Sequence, residues 1–190
     1  MDRFIKLIAA LAIVFGFSHS AFAGIHIEPF LGYSVSGNYE SDFGSTTDGD
    51  YVSDGPQIGA RVGYGMLGFF GALEYEMSSM TADGDDDSSI DQTLLGVSVG
   101  YEFPILIRGY ATYIFSADGK SDDDFDSEFK GTGVKLGVGY TGLPFVAINF
   151  EMTQLNFNDY ESNSNAADDA FESFDATYYT ISVSLPLDLL

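Results

Sequence analysis

Thr93-Leu94-Leu95-Gly96-Val97-Ser98-Val99-Gly100-Tyr101-Glu102 alternates residue by residue. In an extended chain Thr93, Leu95, Val97, Val99 and Tyr101 fall on one side, and Leu94, Gly96, Ser98, Gly100 and Glu102 on the other. Period two is the mark of a β-strand with one apolar face, because successive side chains of a strand point to opposite faces. One face here is oily, and the other is small or polar.

The same alternation runs through the chain in both directions. Upstream, Ile25, Ile27, Pro29, Leu31, Tyr33 and Val35 oppose His26, Glu28, Phe30, Gly32, Ser34 and Ser36. Ile58, Ala60, Val62 and Tyr64 oppose Gln57, Gly59, Arg61 and Gly63, and Leu73, Tyr75 and Met77 oppose Ala72, Glu74, Glu76 and Ser78. Downstream, Arg108, Tyr110, Thr112 and Ile114 share the polar side of a fifth segment, and Gly133, Lys135, Gly137 and Gly139 that of a sixth. A seventh sets Ile148, Phe150 and Met152 against Asn149, Glu151 and Thr153, and an eighth sets Tyr179, Ile181, Val183, Leu185 and Leu187 against Tyr178, Thr180, Ser182 and Ser184. The expectation is eight antiparallel strands of about 9 to 11 residues, the length of a tilted membrane strand.

The connections alternate as well. Gly65-Met66-Leu67-Gly68, Phe103-Pro104-Ile105 and Thr141-Gly142-Leu143-Pro144 are tight turns, whereas Tyr39 to Asp54, Thr81 to Asp91, Ala117 to Lys130 and Asn156 to Asp175 are long and polar. Short turns therefore gather on one rim and long loops on the other, as in an up-and-down outer-membrane barrel with a periplasmic and an extracellular end.

Met1 to Ala23 read as a secretory leader: Arg3 and Lys6, an apolar run from Leu7 to Phe17, then Ala21-Phe22-Ala23 as a cleavage signal. The run is well short of the roughly 20 apolar residues of a spanning helix. Cleavage after Ala23 leaves a mature chain from Gly24 to Leu190, of single-domain length and with no cysteine for disulfides or thiolate metal sites. The net charge of −22 sets nucleic-acid phosphate binding aside.

A soluble barrel of the lipocalin kind shows the same alternation with its oily face inside. The charges favour the opposite arrangement. Glu28, Arg61, Glu74, Glu76, Glu102, Arg108, Lys135 and Glu151 all fall on the face that also carries Gly59, Gly63, Ala72, Gly96, Gly137 and Ala147. Small residues mixed with opposed charges suit a narrow lumen better than a surface meeting bulk water, and a barrel in lipid must close so that every backbone group is paired.

Three groups of residues are candidate sites. Glu28, Arg61, Glu74, Arg108, Lys135 and Glu151 form a lumen charge network, readable as an ion path. The plainer expectation is that they pair and fill an interior only wide enough for side chains, with Glu76 and Glu102 solvated at the rims. Tyr64, Tyr101 and Tyr140, each closing a Val-Gly-Tyr repeat that recurs about every 38 residues as a hairpin unit, form an aromatic girdle at the periplasmic interface. The loops hold most of the 29 acidic residues and offer oxygen ligands to divalent cations bridging to lipopolysaccharide; Asp83, Asp85 and Asp87 open like a calcium loop, but Ser88 stands where glycine is required. No specific metal site or cofactor is expected. Nor is catalysis, since His26 is the sole histidine after the leader and lies at the end opposite the outer leaflet, away from any assembled nucleophile and base.

From Gly24 to Leu190 the chain resembles the small outer-membrane β-barrel proteins typified by the OmpA transmembrane domain and OmpX. The likeness is carried by Ile27-Glu28-Pro29-Phe30-Leu31-Gly32-Tyr33, the Val-Gly-Tyr repeats and the alternating final strand. It implies an eight-stranded barrel and a role among structural anchors, adhesins and host-interaction proteins. The chain departs from that family in ending Pro186-Leu187-Asp188-Leu189-Leu190 rather than in Phe or Trp, and no peptidoglycan-binding domain is expected after the barrel. The resulting expectation is a non-enzymatic surface protein with an unidentified extracellular partner, with a narrow channel as one alternative and a soluble periplasmic binder as another.

Overall fold

A computed structural model of the protein describes residues 23–41, 53–82, 88–121, 127–162 and 174–189. The expected leader, save Ala23, the tips of the four long loops and Leu190 lie outside the described residues. Strands β1 (Gly24–Ser41), β2 (Ser53–Met66), β3 (Phe69–Ala82), β4 (Ser88–Phe103), β5 (Ile107–Ser121), β6 (Ser127–Leu143), β7 (Val146–Ser162) and β8 (Phe174–Ser184) each pair antiparallel with the next. β1 pairs with both β2 and β8, so the sheet closes into an eight-stranded barrel.

A short β9 (Leu187–Leu189) is the resumption of β8, pairing with the same β1 from Ile27↔Leu187 to Ile25↔Leu189. The final strand, expected to be continuous, breaks at Pro186, which has no N–H to give to a ladder. Leu185 still donates to the Pro29 carbonyl at 3.0 Å, so the seam stays closed across the break.

Burial follows the period-two reading. On β3, Leu73 is 62% exposed between Ala72 at 5% and Glu74 at 3%. Ile58, Val62, Val97, Val99, Leu136, Val138, Ile148, Ile181 and Val183 all look outward in the same way. A monomer in water does not sustain an apolar surface around its whole girth.

The strands are longer than expected, 11 residues in β8 and up to 18 in β1. The excess lies at the loop end, where Ser, Asp and Gly-rich stretches continue the ladders. Above the hydrocarbon the outer face meets water or head groups, so no oily row marks these residues as strand. Bulges also interrupt the parity. Register shifts between Ser34 and Ser36 on β1, so Gly37 rather than Ser36 is the next inward residue; a second shift between Ile114 and Ala117 on β5 turns Ala117 inward.

The short turns reduce to Leu67-Gly68, Pro104 to Leu106, and Pro144-Phe145. Among the described residues, those with positive φ are Leu67 (55°), Leu106 (63°), Phe145 (63°) and Gly68 (82°). Left-handed backbone costs a side chain roughly 1–2 kcal/mol and is normally left to Gly, Asn or Asp.

Candidate functional site

The lumen is built from the inward residues of every strand, and the register sets its levels. Glu28 lies beside Arg61, and Arg61 beside Glu74, on β1, β2 and β3. Arg61 Nε donates to Glu74 Oε2 at 2.8 Å, Nη2 to Glu151 Oε1 at 2.7 Å, and Nη1 to Glu28 Oε1 at 3.4 Å. Its guanidinium also sits 4.4 Å from the Tyr110 ring centre and 4.7 Å from that of Phe30. The planar donor fork thus reaches carboxylates on both sides while its faces lie on aromatic rings, which is an arginine's work rather than a lysine's.

Glu74 is the hub of the network. It accepts from Lys135 Nζ at 2.6 Å, from Ser98 Oγ at 2.6 Å and from Thr112 Oγ1 at 2.9 Å, besides Arg61. Arg108 donates to Glu28, to Asn149 Oδ1 (2.8 Å from Nη2) and to Ser184 Oγ (3.0 Å). Tyr110 donates to Glu151, and Lys135 also bonds Glu76. Buried charges are tolerated only when paired and hydrogen-bonded in this way.

Every member of the sequence-derived charge set, Glu28, Arg61, Glu74, Arg108, Lys135 and Glu151, is therefore drawn into one connected cluster. Glu76 belongs to it too, which corrects the expectation that Glu76 is solvated: its side chain is 0% exposed. The reason is that β3 runs several residues past the point where the oily face ends, so Glu76 sits mid-strand. Glu102 is half-exposed at the short-turn rim.

Glycines supply the room. A Cβ on Gly137 would enter the Tyr110 ring, and one on Gly59 would enter the Phe30 ring. These are the two aromatic surfaces that flank Arg61.

Below the charges, His26 Nδ1 lies 2.9 Å from Asp188 Oδ1, and its Nε2 lies 3.3 Å from Glu28 Oε2. The ring stacks on Phe70 at 5.0 Å. His26 thereby ties β9 to the foot of the network. Above the charges, toward the long loops, Met80, Leu94, Ile114, Leu155, Phe157 and Tyr178 pack into an apolar cluster. Sequence reading turned Leu94, Ile114 and Tyr178 inward but missed the rest of this layer, because Met80, Ala117, Phe157 and Ala176 flank stretches whose polar composition reads as loop; their two-residue spacing from the inward residues below, interrupted by bulges, is the signal that was available.

The tyrosines proposed as a girdle stand on the outer wall near the short turns. Tyr64 and Tyr140 are exposed, and Tyr101 packs on Phe69 at 4.4 Å and edge-on against Phe103 at 4.9 Å. The acidic positions Asp54, Asp91, Asp118 and Asp175 lie on strand ends rather than in loops; the Asp83-Asp85-Asp87 run lies outside the described residues.

Residues 8–185 match the family model for the outer membrane protein beta-barrel domain. The chain belongs to that family.

The protein is accordingly placed in the bacterial outer membrane, and the soluble alternative is overturned by the outward-facing apolar wall. Among solved structures, the outer-membrane barrel is similar to Neisserial surface protein A, with a TM-score of 0.54 and 14% identity over 86% of this chain and 98% of that one. It is also similar to OprG from Pseudomonas aeruginosa, with a TM-score of 0.41 and 13% identity over 90% of this chain and 98% of that one. At 14% identity the likeness to Neisserial surface protein A is one of fold. A comparison with curated protein sequences gives no match.

Proposed function

We propose that the outer-membrane barrel is a non-enzymatic anchor that presents its acidic loops at the cell surface, to lipopolysaccharide through bridging divalent cations and to an extracellular partner. What supports this reading is the lumen: Arg61, Arg108 and Lys135 are locked onto carboxylates, and an apolar layer around Ile114 and Leu155 lies between them and the loops. An interior filled at two successive levels serves as a core, not a conduit, which leaves the loops as the part that differs from a bare scaffold. Oxygen-rich loops are the surface that hard divalent ions favour.

The second reading is a narrow path for ions or small solutes. It draws on Glu76 Oε1, Glu151 Oε2 and Thr153 Oγ1, which are buried without a hydrogen-bond partner. Planar-bilayer recording of the refolded protein separates the two. The anchor reading expects no reproducible unitary current, and loops that can be trimmed without loss of insertion. Discrete currents abolished by Glu74→Ala would favour the channel and sink the anchor.

A further inference from the structure

We propose that the three short turns are themselves inserted into the inner leaflet, so that Leu67, Ile105, Leu106 and Phe145 form a membrane-anchoring rim below the tyrosines. Phe145 is 79% exposed, Ile105 67% and Leu67 59%. A short turn that met water would be served by Asn, Asp or Gly, which adopt positive φ at little cost and solvate well. Each of these three turns instead places a bulky apolar residue, Leu67, Leu106 or Phe145, in that conformation. A preference repeated in three separate turns points to apolar surroundings.

The height of the oily wall agrees. With a rise of about 3.4 Å per residue and a tilt of about 40°, each strand residue climbs roughly 2.6 Å along the barrel axis. Outward apolar residues from Tyr140 up to Val134 on β6, or from Tyr101 to Leu95 on β4, then cover only about 16 Å, against the roughly 25 Å of a lipid-facing band. Thr132 and Thr93 end the band above. Counting downward to Leu143 brings β6 to about 23 Å, and continuing through Phe103 to Ile105 brings β4 to a similar height. Most of the remaining height is supplied by the last outward strand residues, Leu143 and Phe103, and the exposed turn residues Ile105 and Phe145 continue the apolar surface directly below them.

Backbone pairing fits the same placement. A turn entering lipid must satisfy its polar groups within the protein. Gly68 O accepts from Glu102 N at 2.8 Å, and Leu106 O accepts from Thr141 N at 2.8 Å. Each of these bonds stitches one turn to the neighbouring hairpin. The rim is therefore continuous with the lipid-facing wall in surface and in hydrogen bonding, and the inner-leaflet boundary is its occupant.

The chain contains no tryptophan, so a single introduced one reports its own surroundings. Phe145→Trp and Ile105→Trp variants, the second at a position without positive φ, are reconstituted in phosphatidylcholine vesicles, with heat-modifiable gel migration to confirm folding. Val138→Trp serves as the wall control and Asp91→Trp as the control at the upper polar edge. Expected are blue-shifted emission at both turn positions, quenching by phosphatidylcholine brominated near the head group to within about twofold of Val138→Trp, and little quenching by acrylamide. Red-shifted emission with acrylamide quenching like that of Asp91→Trp, with or without recovery on adding a periplasmic extract, would overturn the proposal.

Discussion

Arg61→Ala is expected to destabilise the folded barrel by about 3–5 kcal/mol, the range for breaking a buried ion pair from one side. Arg61 is fully buried and serves Glu28, Glu74 and Glu151 together. Its removal leaves carboxylates that neither lipid nor the packed lumen can solvate, and it strips the faces of Phe30 and Tyr110 of their stacked cation. Urea titration of the refolded protein in vesicles, followed by heat-modifiable migration, reads the loss as a lower midpoint. Arg61→Lys is expected to recover part of it, since one ammonium retains the charge but not the three-way fork. A shift of under about 1 kcal/mol for Arg61→Ala would mean that this interior is hydrated and that the cluster does not hold the barrel together.

Val99→Arg is expected to cost about 2–4 kcal/mol, because Val99 sits near the middle of the oily wall, where a guanidinium meets hydrocarbon. Val99 is 58% exposed, its side chain facing away from the lumen. Thr93→Arg, on the same face of the same strand but at the upper edge of the band, is expected to cost only about 0–1 kcal/mol. The depth dependence separates hydrocarbon from water at this wall: if water met the outward face, both changes would be surface substitutions of similarly small effect. The same urea titration measures both.

The fold was largely legible in the sequence because one physical constraint governs most of it. Between Ile25 and Leu187, lipid on one side and a narrow lumen on the other force alternation, and residues such as Leu95, Val97 and Val99 announce their face unaided. Legibility stops where that constraint stops. Past Ser79 and Thr93 the outer face leaves the hydrocarbon, so β3 and β4 continue to Ala82 and from Ser88 without any apolar row to reveal them. The bulges at Val35-Ser36 and Phe115-Ser116 leave no compositional trace, yet each reverses the parity that a reader would carry forward.

The charge cluster was visible as a set of residues, not as a set of contacts. Period two places Glu28, Arg61 and Lys135 inside, but which base reaches which acid depends on the stagger of the closed sheet. That stagger carries Lys135 of β6 across the lumen to Glu74 and Glu76 on β3, and the burial of Glu76 follows from it. Part of the apolar upper layer was hidden for a related reason, since Met80 and Phe157 are inward residues of strand segments that lie above the bilayer.

The most direct test of the barrel's orientation in lipid is paramagnetic broadening of methyl resonances by a doxyl-labelled lipid, with the protein in nanodiscs. Leu, Ile and Val occupy both faces, so no substitution is needed. Ile58, Val97, Leu136 and Ile181 are expected to broaden strongly, while Leu94, Ile114 and Leu155, at 3%, 1% and 2% exposure, stay sharp. Sharp outer methyls together with broadened Leu94, Ile114 and Leu155 would contradict the placement of hydrocarbon outside the wall and everything built on it.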